Sequence, residues 1–166
     1  MRDGHGLGAA AVPLVLALLA GVSACAPARV CAGVGVDSEV SVLFVRKGYG
    51  DLEGASYELC TRGRCAKGEL PQEAHTRVSV RLPADTGPAA GPVRFRVTRA
   101  GEARPVVDAS KDVRLTHQSD GCGGGAYSRG LAMTKKDGLT VKIPPGAFAA
   151  WLKQRGEQDA SPSRTP

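Results

Sequence analysis

From residue 34 onward, apolar and polar residues alternate with a period of two. Val34, Val36, Val40, Val42 and Phe44 share one parity, while Asp37, Glu39 and Ser41 hold the other. Successive side chains of a strand point to opposite faces, so this pattern predicts a half-buried strand. The alternation returns at Tyr57, Leu59 and Thr61, at Val78, Val80 and Leu82, and at Val93, Phe95 and Val97. Shorter stretches follow: Pro105 to Asp108, Val113 with Leu115, Leu131 with Met133, and Leu139, Val141 and Ile143. Glycine-bearing turns separate them, at Lys47 to Asp51, Arg99 to Glu102 and Lys136 to Gly138. After Pro144-Pro145 the period changes. Phe148, Trp151 and Leu152 stand at i, i+3 and i+4, which predicts a short C-terminal helix.

About eight short strands with regular turns predict a mainly β fold, an antiparallel β-sandwich of immunoglobulin-like or transthyretin-like type closed by that helix. Composition agrees. Aromatic residues are only 4% of the 166, so Val, Leu and Ala must build the core, and 22 glycines with 11 prolines suit many turns. The chain then divides into a leader (1–24), a tether (25–33), one β-rich domain (34–155) and a polar tail (156–166) expected to be frayed.

The leader carries the clearest address. Arg2 precedes an almost uncharged apolar run from Leu7 to Val22, too short to span a bilayer comfortably. It ends in Val22-Ser23-Ala24-Cys25. This tetrapeptide resembles the lipobox of bacterial lipoproteins, in which the Cys thiol receives a diacylglyceryl group and the chain is cut before it. The resemblance implies lipidation at Cys25, and two acyl chains anchor stably where one does not. The protein is therefore expected on the outer side of a cell membrane, held by lipid.

Four cysteines remain: Cys31, Cys60, Cys65 and Cys122. An even number in an exported small domain predicts two disulfides. Gly63 permits a tight turn inside Cys60-Thr61-Arg62-Gly63-Arg64-Cys65, which suggests Cys60 with Cys65 and leaves Cys31 for Cys122. Metal ligation helped by His75 or His117, or free thiols, are the other readings. The Leu59 to Cys65 segment, the Asp120-Gly121-Cys122-Gly123 stretch and the lipobox together resemble small lipoproteins of streptomycete-type actinobacteria, over most of residues 10–143. The absence of Asn and the wealth of Ala, Gly, Arg and Val fit a GC-rich coding bias. This resemblance implies lipidation and two disulfides, and brings no activity.

No motif predicts catalysis, and no cofactor or metal is expected. Gly33-Val34-Gly35 precedes a strand instead of opening a helix, so it lacks the context of a phosphate loop. Cys122 with His117 would be the pair of a thiol hydrolase, against the plainer reading of a disulfide in a glycine-rich loop. Trp151 would stack on a sugar or peptide, or pack on the sheet. The net charge of +6 is modest and leaves solubility or an anionic partner open; nucleic acid is not expected. If strands 77–82 and 93–98 are antiparallel neighbours, Arg77, Arg81, Arg94 and Arg96 face one outer side, a candidate surface for anionic lipid or wall polymer. The expected function is a non-enzymatic module that binds a surface protein or wall component. The alternatives are that arginine face and the Cys122 hydrolase.

Overall fold

The computed structural model describes residues 37–160, apart from 120 and 122. Among the described residues, nine strands and one helix follow one another: β1 (Glu39–Val45), β2 (Ser56–Thr61), β3 (Arg64–Glu69), β4 (His75–Arg81), β5 (Ala89–Thr98), β6 (Val107–Arg114), β7 (Thr116–Ser119), β8 (Gly125–Thr134), β9 (Gly138–Thr140) and α1 (Pro145–Ala160). The strands form two sheets. One runs β4-β1-β8-β7, with β9 also paired to β8, and the other runs β3-β2-β5-β6. The pairing is antiparallel except between β1 and β8, where Glu39 stands beside Ser128 and Phe44 beside Met133 in parallel register.

The inner faces come from the alternation seen in the sequence. Val40, Val42, Phe44, Val78, Val80 and Leu131 from the first sheet meet Leu59, Val93, Phe95 and Val97 from the second. Phe44 is fully buried and lies 5.7 Å from the ring of Phe95 across the gap. Each large apolar side chain withdrawn from water in this way stabilises the fold by about 1.5–3 kcal/mol. Both sheets need the contact, because each has one apolar face to cover.

Three expectations change in extent. The segments at 105–108 and 113–115 belong largely to one strand, β6, whose polar run Asp108 to Asp112 hid it. It lies at a sheet edge, where one side of the strand is open to water. Residues 64–69, not foreseen as a strand, pair with β2 as the exposed edge strand β3. The helix continues to Ala160, so 156–160 are helical where a frayed tail was expected. Pro145 suits the first helical position, since its missing N–H would have no partner there, and the Pro144 carbonyl accepts from Ala147 and Phe148.

The larger change concerns strand neighbours. β4 and β5 do not pair. β4 is an edge of the first sheet beside β1, and β5 is central in the second, between β2 and β6. The connection between them, residues 82–88, crosses from one sheet to the other.

Candidate functional site

Because β4 and β5 lie in different sheets, the four arginines do not share a face. Arg77 and Arg81 alternate with buried Val78 and Val80 and point out from the first sheet. Arg94 and Arg96 alternate with buried Val93, Phe95 and Val97 and point out from the second. Outer faces of a sandwich look in opposite directions, so the expected arginine surface is not formed. Each arginine also has an acidic neighbour. Arg77 is bonded to Glu39, and Arg81 stands 3.5 Å from Asp37. Arg94 grips Asp108 through two bonds of 2.8 and 2.7 Å, and Arg96 reaches the same carboxylate at 3.2 Å. The Arg94 guanidinium, with Arg96, holds the Asp108 carboxyl far below its ordinary range. The hydrogen bond from Lys67, at 2.6 Å, lowers Glu58 in the same way.

The hairpin of β2 and β3 holds the expected disulfide. Arg62 and Gly63 both take positive φ, 50° and 73°, the left-handed pair that a two-residue hairpin turn requires. That turn fixes the register and sets Cys60 opposite Cys65 with Cα atoms 4.1 Å apart, joined through sulfur. Their sulfurs lie near the Glu58 carboxylate. Bonded to each other, they offer no thiolate to a metal. Cys25, Cys31 and Cys122 lie outside the described residues. His75 and His117 sit on β4 and β7, at opposite ends of the strand order of one sheet, and do not meet. The His117 ring packs against Tyr127 at 5.1 Å. A Cβ on Gly125 would come within 2.6 Å of that ring and 2.5 Å of the Gln118 carbonyl, so only glycine fits there.

A groove of about 500 Å³ opens on the outer face of the first sheet. Ser41 and Leu43 on β1, with Gly130 on β8, supply its floor, and Ile143, Phe148 and Trp151 line it as well. Ser41 and Leu43 are buried although they lie on the outer parity of β1. At the rim, the Arg77 guanidinium lies 5.9 Å above the Trp151 ring while paired with Glu39. Phe148 meets Trp151 at 5.7 Å between centroids and stays 46% exposed. No residue of α1 is buried. The helix is held partly by Gln154, whose amide accepts from the His75 backbone N–H at 3.2 Å and donates to its carbonyl at 3.0 Å. Trp151 is thus half covered, between the two readings of the sequence. The groove and Gln154 were not foreseen.

Among the described residues, no helix is long and apolar enough to cross a membrane. Comparison with protein-family models, with curated proteins and with solved structures gives no match.

Proposed function

We infer that the chain is an exported, lipid-anchored binding module, tethered at Cys25 and presenting the groove beside α1 to a partner. The groove carries the reading. Its Leu43, Ile143, Phe148 and Trp151 lining is apolar, and its charged residues, Asp37 and Glu39 with Arg77 and Arg129, balance in sign. Phe148 and Leu152 are the exposed large hydrophobic residues among those described, and both belong to α1. An uncharged apolar side chain on a peptide segment of another surface protein suits this lining, with Ser41 and Ser128 placed to bond its backbone. The disulfide of the β2–β3 hairpin supports the exported setting, since such bonds persist outside the reducing cytosol.

The test is a photo-crosslinking residue at Phe148, read in intact cells against the same residue at Glu102. The expected result is one partner captured from position 148 and not from 102, and lost when Ile143→Arg fills the groove. The same products from both positions would overturn the reading.

A further inference from the structure

The arginines that stand out in the sequence are spent on carboxylates, but another set of cations is not. A cavity of about 310 Å³ lies where β6, β7 and β8 come together, lined by Lys111, Asp112, Arg114, Thr116, Arg129 and their neighbours. Three of these side chains are cationic and one is acidic. Among the described residues, none of the three cations has a carboxylate within ion-pair distance; Arg129 donates only to the Thr116 hydroxyl, at 3.0 Å. Lys111 and Arg114 are exposed.

The place of this cavity in the fold decides what it faces. The described chain begins at Asp37, twelve residues after Cys25, a reach of at most about 40 Å. It enters the domain beside β8: Ser38 accepts from the Tyr127 N–H at 3.1 Å, and Glu39 pairs with Ser128. Ser128 pairs in turn with Thr116. Thr116, which lines the cationic cavity, therefore lies two strand spacings, roughly 10 Å, from the point where the chain enters. The cations thus lie at the end of the domain where the chain from Cys25 arrives.

We propose that Lys111, Arg114 and Arg129 form an anion site for the phosphate of acidic lipid headgroups in the membrane that carries the anchor. The proposal rests on the anchor reading. Each cation near an anionic surface strengthens binding by roughly fivefold, and salt weakens it within a Debye length of about 8 Å.

The test uses the chain from Ala26 to Pro166, which keeps every core residue from Val40 to Met133, its fold checked by circular dichroism. Its sedimentation with phosphatidylglycerol vesicles is compared with phosphatidylcholine vesicles at low salt. Wild type is expected to prefer the anionic vesicles by more than roughly 25-fold. Arg114→Gln with Arg129→Gln should lose roughly 25-fold. Lys47→Gln with Lys136→Gln, an equal charge loss from the far end of β1 and β8, should change binding less than twofold. No anionic preference, or equal losses in the two double variants, would overturn the site. So would soluble polyphosphate bound in place of vesicles, which would assign the cations to a polymer. Fatty-acid labelling of the full chain separates the two proposals: label without vesicle preference removes the anion site alone, and vesicle preference without label removes the anchor alone.

Discussion

Gln154 holds the backbone of His75 from both sides, accepting its N–H and donating to its carbonyl, and so caps β4 at the edge of its sheet. An exposed strand edge invites pairing with another chain, and this amide occupies part of it. Because α1 buries no residue, the two bonds carry much of its docking. Gln154→Ala is expected to cost about 1–2 kcal/mol of helix docking. Hydrogen exchange should show about tenfold faster exchange through α1 while β1 and β8 keep their protection. Unchanged exchange in α1 would mean that the Trp151 contacts hold it alone.

Removing the Cys60–Cys65 bridge by a double change to Ser should lower stability by about 2 kcal/mol, because it closes only a short loop. Urea unfolding of the two forms measures this. For the second pair, the strands flanking residues 120–124 meet at Ser119 and Gly125, on the same end of the sheet as Asp37. That placement supports the proposal that Cys31 joins Cys122. Non-reducing peptide mapping should find that link, and a peptide joining Cys31 to Cys60 or Cys65 would refute it.

Asp108 gives the pH dependence a sign. Its folded carboxyl is held below the ordinary range by Arg94 first and Arg96 second. A group depressed in this way contributes stability above its unfolded value, near 4, and loses it as pH falls toward the folded value. Stability should therefore drop below about pH 4, with Glu58 adding in the same direction. Arg94→Gln should raise the Asp108 carboxyl midpoint in a carbon-detected NMR titration. An unmoved midpoint would show that the Arg94 bonds do not hold the carboxylate.

The alternation from Val40 to Phe44, and again from Val93 to Val97, made the inner faces of the sandwich legible, because strand periodicity depends only on local geometry. Gly63 likewise announced the hairpin turn that brings Cys60 and Cys65 together. Strand order was not legible. A ten-residue loop serves equally to turn back within one sheet or to cross between two, and the assumed β4–β5 pair gathered four arginines that the fold divides. Leu43 was the overlooked signal. An apolar residue on the polar parity of β1 marks a strand covered on both faces, and its cover is the groove beside Ile143 and α1. The cationic cavity was hidden for a different reason: Lys111, Arg114 and Arg129 come from two strands, and only the pairing of β7 with β8 brings Arg129 to Thr116.

Intact mass of the protein from the membrane fraction decides whether the domain is exported and held by lipid at Cys25. The expected chain begins at Cys25 and carries the added mass of a diacylglyceryl group, with Cys25→Ala abolishing both the processing and the lipid. A mature chain that begins at Ala26 or elsewhere without lipid, or an uncleaved chain that begins at Met1, would contradict it.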